Sequence, residues 1–249
     1  MKIAVVSDIH GNVLALEAVL ADLKLEAPDV IVNLGDCVSG PLWPEETAQI
    51  LRETNWPTVR GNHDRFLIED PIEKMGPTDL FAAERLSPES LDWLKTTQPS
   101  IRLTDEIFLC HGTPDDDDRY LTEKVEGPKG HLPDEQTLLQ ELKGETAPVV
   151  CCGHTHIPRL IRLQQTGQIL LNPGSVGLPS YEDNHPHRHA MEVGSPHARY
   201  ALMTSNHGAW NFQEKILTYH WDAASEEAQK NGRPGWARAL KHGFYGPLS

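Results

Sequence analysis

Two kinds of apolar pattern alternate at the start of the chain. Lys2–Ser7 is a compact, β-branched run and Asp29–Leu34 is another, while Leu16, Val19, Leu20 and Leu23 recur between them at helical spacing. The order strand, helix, strand is that of a right-handed parallel βαβ unit. Spacing predicts a second helix over Glu45–Arg52, with Pro44 at a first-turn position where its missing N–H costs nothing. A short strand is expected at Pro57–Val59. Thr78–Thr97 reads as helical, broken at Ser87-Pro88, where the serine can cap a helix carrying Leu91 and Leu94.

The pattern then turns toward strands. Glu106–Cys110 and Val149–Cys152 are short apolar runs that end just before His111 and Gly153. Pro158–Leu163 and Gln168–Leu171 flank Gln164–Gly167 as a hairpin would. Tyr200–Thr204 and Asn211–Tyr219 complete a strand-rich half, and Asp222–Lys230 reads as a helix. Three stretches read as irregular surface loops: Gly112–Pro133, Pro179–Pro196 and the tail after Asn231. The first holds Asp115-Asp116-Asp117-Asp118, read as a solvated, self-repelling run. The second holds His185, His187 and His189. With no internal repeat and no linker, residues 1–249 read as one domain of two sheets and outer helices, with 112–133 and 179–196 as cap or insert loops.

Charge narrows the partners. The chain carries 22 basic and 36 acidic side chains, a formal net charge of −14, and no Lys/Arg cluster, which argues against a long nucleic acid. A small anionic substrate stays compatible, because bound dications invert the field of an acidic site. No run approaches the roughly 20 apolar residues of a membrane helix. The N-terminal run is too short for a signal peptide, so a cytoplasmic protein without a membrane partner is expected. Cys37, Cys110, Cys151 and Cys152 form no C-x-x-C pair and read as small buried hydrophobes at strand ends.

The chemistry sits where the apolar runs stop. Asp8-Ile9-His10-Gly11-Asn12 follows the first run, and strand alternation would point Asp8 and His10 to one side. Gly35-Asp36 closes the next strand, and ligands of open α/β sheets bind outside the carboxyl ends of strands. A carboxylate there can bridge two cations about 3.5–4 Å apart. In Arg60-Gly61-Asn62-His63-Asp64, Asn62 offers a neutral amide oxygen to a metal and His63 can transfer a proton. Cys110-His111-Gly112 and Gly153-His154-Thr155-His156 bring three more imidazoles to strand ends. A single such histidine is more often a hydrogen-bonded core or turn residue. Repeated at successive strand ends with glycine alongside, the pieces are not independent accidents.

The ordered set Asp-x-His, Gly-Asp, Gly-Asn-His-Asp, His-Gly and Gly-His-Thr-His resembles the calcineurin-like metallophosphoesterase superfamily. The resemblance runs from Lys2 to about Leu178 and includes Asn172-Pro173-Gly174-Ser175. The small size, the full ligand set and the Tyr200-Ala201-Leu202 strand make the chain similar to the small prokaryotic phosphodiesterase branch. That resemblance implies an α/β fold, a four-layer αββα sandwich of two mixed β-sheets flanked by helices. It implies one divalent metal held by Asp8, His10, Asp36 and His156, and a second held by Asp36, Asn62, His111 and His154, with Asp36 bridging. His63 would be the general acid.

Hard oxygen with imidazole suits Mn²⁺, the leading expectation, and also Fe, Zn²⁺, Ni²⁺ or Co²⁺. A metal-bound water would lose its proton near neutral pH and attack phosphorus while His63 protonates the departing oxygen. Arg60 and Asn12 are candidates for phosphate contact. The implied activity is hydrolysis of small phosphodiesters or nucleotides. A phosphomonoesterase with the same centre is the alternative, and a non-catalytic scaffold should have lost ligands that this chain retains. One departure matters. Ser/Thr protein phosphatases of the superfamily continue Gly-Asp into an Asp-Arg pair, whereas this chain has Asp36-Cys37-Val38-Ser39-Gly40, which disfavours a phosphoprotein substrate.

Overall fold

The computed structural model describes residues 1–206 and 209–246. The chain opens with β1 (Lys2–Val6), α1 (Val13–Glu26) and β2 (Val30–Asn33). Four helices follow: α2 (Pro44–Thr54), α3 (Asn62–Glu69), α4 (Pro77–Ala83) and α5 (Pro88–Leu94). Next come β3 (Ser100–Thr104), β4 (Ile107–Cys110), the small hairpin β5 (Lys124–Val125) and β6 (Gly130–His131), and α6 (Glu135–Glu141). β7 (Val149–Cys151), β8 (Arg159–Arg162) and β9 (Ile169–Asn172) precede a second hairpin of β10 (Ser180–Asp183) and β11 (His189–Glu192). The long pair β12 (Ala198–Asn206) and β13 (Ala209–Leu217) leads into α7 (Trp221–Lys230) and α8 (Pro234–His242).

Nine of these strands form two mixed sheets, in the orders β13-β12-β1-β2 and β3-β4-β7-β9-β8. β1 runs parallel to β2 and antiparallel to β12. In the other sheet β4, β7 and β9 are parallel, and both edges are antiparallel.

The two-residue period of the strands builds the layers. Ile3 and Val5 pack with Val32, Leu109, Val149 and Cys151 between the sheets. Ala4 and Val6 face the other way, onto Leu16 and Val19 of α1 and Ala48 of α2. Phe108, Val150 and Leu170 turn outward beneath Leu138 of α6. The result is four layers: helices, sheet, sheet, helix. Strands buried on both faces read as continuous apolar runs, which is why β1, β4 and β7 were legible without alternation. Each fully buried leucine such as Leu109 contributes on the order of 1.5–3 kcal/mol. All four cysteines are buried in these layers.

Several helix ends follow their sequence signals. Ser87 Oγ accepts from Ser90 N at 3.2 Å, with Pro88 in the first turn. α1 ends at Ala27, whose left-handed backbone (φ 45°) returns its N–H to Leu23.

Elsewhere the structure corrects the reading. Pro57–Val59 is not a full strand, because Pro57 has no N–H to donate; Thr58 and Val59 make single bridges to Asn33 and Gln98. The loop expected over 179–196 is largely the β10–β11 hairpin, paired from Ser180↔Glu192 to Asp183↔His189. The loop over 112–133 contains β5 and β6. The tail after Asn231 holds α8, which buries Trp236, Ala237, Ala239 and Leu240; its residues 247–249 lie outside the described residues. Pro234 and Gly235 suggested a broken loop, yet Pro234 occupies the first turn. α3, α6 and β3 were not anticipated. Among the described residues no helix is long and apolar enough to cross a membrane.

Candidate metal centre

The carboxyl ends of the parallel strands of both sheets meet at one place. Past β1 and β2 the two loops continue side by side: Leu34 N bonds Val6 O at 2.9 Å, Asp8 N bonds Gly35 O at 3.0 Å, and His10 N bonds Asp36 O at 2.9 Å. The loop after β9 crosses to the other sheet, where Ser175 Oγ donates to Asp8 O at 2.7 Å and Val176 N to Ser7 O at 2.9 Å. Asn172 ties the same segment to Gly153 O at 2.7 Å. The Asn-Pro-Gly-Ser stretch therefore staples the two strand-end clusters together.

Asp8, His10, Asp36, His154 and His156 all have left-handed backbone, with φ from 51° to 67°. Such conformations are uncommon for non-glycine residues, cost on the order of 1–3 kcal/mol each and concentrate at functional sites. Strand alternation is therefore not what brings Asp8 and His10 together. Both lie past the strand, and each left-handed residue swings its side chain toward the centre.

Donor atoms of Asp8, His10 and His156 lie within 4.8 Å of one another, and so do those of Asp36, His111 and His154. Asp36 Oδ2 stands 3.6 Å from His10 Nε2 and 3.3 Å from His111 Nε2, so one oxygen faces both groups. Asn62 Oδ1 lies 3.1 Å from His111 Nε2. Asn62 Nδ2 donates to Asp118 Oδ1 at 3.1 Å, which turns the amide oxygen toward the centre. All seven residues are buried.

Backbone carbonyls hold three of the imidazoles from behind. His10 Nδ1 donates to Ser39 O at 2.8 Å, His111 Nδ1 to Leu34 O at 2.7 Å, and His156 Nδ1 to Leu178 O at 2.6 Å. With Nδ1 so held, it is Nε2 of each ring that is aimed inward, the arrangement found behind metal-ligating histidines, and on the neutral ring it is a lone pair. His10 Nε2 and His156 Nε2 then face each other at 3.1 Å as two acceptors, while His111 Nε2 stands 3.1 Å from Asn62 Oδ1 and 3.3 Å from Asp36 Oδ2, where either a proton or a metal cation fits between nitrogen and oxygens. Acceptors at that separation need a cation between them, and the mixed imidazole and oxygen donors suit a divalent transition metal.

Burial and local charge divide the histidines. Burial pushes His10 down to about 4 and His154 down to about 3, so both are neutral near pH 7. Burial also opposes charge on His111, but the adjacent Asp36 carboxylate outweighs it and lifts His111 to about 10. Burial would raise Asp36 itself, yet His111, His63 and His10 hold it well below the usual carboxylate range.

His63 lies outside both groups, on the wall of the cavity above them. Its Nδ1 is 2.6 Å from Asp79 Oδ1, which also accepts from Ser39 Oγ at 2.5 Å. Burial disfavours the imidazolium, but Asp79 and then Asp36 raise His63 to about 9. Sequence reasoning placed a helix over α4 but missed the role of Asp79 on it. It also missed the role of Asp64, whose carboxylate accepts from the backbone N–H groups of Asp36, Cys37 and Gly61 at 2.9, 2.9 and 3.1 Å. The signal for Asp64 was its place in the Gly-Asn-His-Asp motif.

The two phosphate-contact candidates lie elsewhere. Asn12 caps α1, accepting from Ala15 N and donating to Gly177 O and Tyr219 Oη, so its amide is committed to the fold. Arg60 reaches Glu69 at 3.2 Å. The cations that line the cavity are instead Arg65, Arg119, Lys124 and Arg233. The Asp115–Asp118 run is largely exposed, and Asp117 acts on Asp118 as a like charge, yet it is also pinned: Asp117 takes Arg65 in a two-pronged bond at 2.7 and 2.8 Å, and Asp118 takes Asn62. The three histidines of the 179–196 stretch part company, with His189 buried against Tyr120, and His185 exposed at the cavity.

Residues 1–193 match the model of the calcineurin-like phosphoesterase superfamily domain. The chain belongs to that superfamily. Superfamily membership points to a phosphoesterase dependent on divalent metal, and the structure offers two candidate metal-binding groups. The chain is 26% identical over 262 residues to the uncharacterized protein MJ0912 of Methanocaldococcus jannaschii, a match spanning 94% of each chain. In structure it is similar to a metallophosphoesterase from Sphaerobacter thermophilus, with a TM-score of 0.73 and 23% identity over 96% of this chain and 98% of that one. That likeness establishes the superfamily fold.

Proposed function

We propose that the protein is a two-metal phosphodiesterase acting on small diesters or nucleotides. The observation that carries this reading is two donor groups meeting at one Asp36 oxygen: His10 and His156 face each other as acceptors 3.1 Å apart on one side, and His111 and Asn62 stand 3.1 Å apart on the other. Asp8, His10, Asp36 and His156 would hold one cation, and Asp36, Asn62, His111 and His154 the other. Mn²⁺ is the leading candidate, with Fe, Zn²⁺, Ni²⁺ or Co²⁺ compatible with the same donors. When bound, the metals supply Lewis acidity toward phosphoryl oxygens and a water acidic enough to attack near neutral pH.

The chain's own residues do the rest. Asp79 holds His63 Nδ1, which leaves Nε2 as the proton-bearing atom available to the cavity. With Asp79 and Asp36 keeping it protonated, His63 enters the reaction as an acid and delivers its proton to the departing oxygen. The cavity of about 920 Å³ has the size of small-ligand sites, which supports a substrate of nucleotide dimensions over a long polyanion. Residues of both the 112–133 and the 179–196 stretches line it, as do α8 residues, which supports treating residues 1–249 as one working unit.

A substrate panel tests the reading. Mn²⁺-loaded protein is expected to hydrolyse bis-p-nitrophenyl phosphate, cyclic nucleotides or dinucleoside polyphosphates with kcat/KM at least tenfold above p-nitrophenyl phosphate. A preference for the monoester would make it a phosphatase instead.

A further inference from the structure

Among the described residues, four arginine and lysine side chains line the cavity, and three of them are neutralised within the fold. Arg65 is clamped by Asp117, Arg119 pairs with Glu141 at 3.2 Å, and Lys124 with Glu126 at 2.5 Å. Arg233 differs. Its Nη2 donates to the Thr78 hydroxyl at 2.6 Å, and among the described residues it has no carboxylate partner. Asp79, the carboxylate whose charge acts on it, is already committed to His63 and Ser39. A half-buried guanidinium that bonds a single hydroxyl keeps most of its fork of donors unused, and that fork matches carboxylate and phosphate oxygens.

Its position is equally specific. Thr78 immediately precedes Asp79, the residue that holds His63, and Trp236, one turn on from Arg233, sets its ring 5.9 Å from that of His10. Arg233 thus stands on the side of the cavity from which His63 would protonate the leaving group. It also lies beyond residues 1–193, so superfamily membership assigns it no role.

We propose that Arg233 binds an anionic group, a carboxylate or a second phosphate, carried by the departing half of the substrate. The proposal rests on the hydrolase reading above and adds where along the substrate the second charge sits. It makes Arg233 a residue that selects the leaving group.

Two chromogenic diesters test it: methyl 4-nitrophenyl phosphate, and the analogue whose departing phenol carries a carboxylate meta to the reacting oxygen. The wild-type protein is expected to favour the carboxylated diester in kcat/KM. Arg233→Met is expected to reduce that preference at least tenfold, and Arg233→Lys, which keeps the charge, to retain part of it. A preference unchanged in Arg233→Met overturns the inference. Calorimetric binding of the two free phenols provides a readout that needs no turnover. The carboxylated phenol should bind wild type at least tenfold tighter than 4-nitrophenol, with the difference lost in Arg233→Met. Equal binding of the two phenols to wild type overturns the inference. Discrimination in binding without hydrolysis of either diester would sink the hydrolase reading while upholding the role of Arg233.

Discussion

His63 and Asp79 form a closed pair, with Nδ1 and Oδ1 2.6 Å apart and Asp79 only 5% exposed. Asp79 fixes which ring nitrogen of His63 carries the proton toward the cavity, and its charge raises the imidazole to about 9. Asp79→Asn removes the charge and keeps the shape. The expected result is a kcat about 10²-fold lower on diesters with poor leaving groups, and a much smaller loss when the leaving group is p-nitrophenolate, which needs no proton. A uniform loss across a leaving-group series would deny His63 its role as acid.

Removing the imidazole itself separates chemistry from metal binding. His63 belongs to neither ligand group, so His63→Ala should bind two cations per chain as wild type does while losing on the order of 10²–10⁴ in kcat on diesters with poor leaving groups. Metal content measured by plasma emission, alongside kinetics, decides the point; loss of a cation from the variant would recast His63 as a ligand.

Glycine at 61 and 153 is required by close approach. A Cβ on Gly61 would overlap the Asp36 carboxylate, and one on Gly153 would overlap Ser7 Oγ and reach 2.9 Å from Asp8 Oδ2. Gly61→Ala and Gly153→Ala must push those carboxylates aside. Each is expected to weaken metal affinity at least tenfold and to cost about 1–3 kcal/mol of stability. Titration with Mn²⁺ and thermal melting would show it, and wild-type affinity in both variants would contradict the geometry.

The pH dependence of metal affinity follows from His111. Raised to about 10, it carries a proton at neutral pH that an incoming cation must displace. Affinity should therefore climb with pH from 7 toward 10, by up to about tenfold per unit, with release of about one proton at pH 7.5. His10 and His154, depressed to about 4 and 3, are already neutral there and add nothing to the slope. Calorimetry in buffers of different ionisation enthalpy counts the proton. A flat profile would mean that the cation does not meet His111.

The sequence carried the two-sheet frame and the placement of the ligands at strand ends, because buried parallel strands are continuous apolar runs and the polar residues begin where they stop. It did not carry the left-handed turns that aim Asp8 and His10, since non-glycine residues seldom adopt them. Asp79 was invisible because its partner lies 16 positions earlier, across a loop and a helix boundary. α8 was hidden by Pro234 and Gly235, which read as breakers until Pro234 is seen in the first turn. Asn12 and Arg60 stand within two residues of ligands in the sequence, yet the fold spends one on a helix cap and leaves the other facing Glu69.

The most direct test of the two-metal reading is activity on bis-p-nitrophenyl phosphate before and after chelation, followed with metal content. Stripped protein is expected to be inactive and to regain full activity as Mn²⁺ reaches two per chain, one for each donor group. Hydrolysis that persists in protein shown to be metal-free would contradict it.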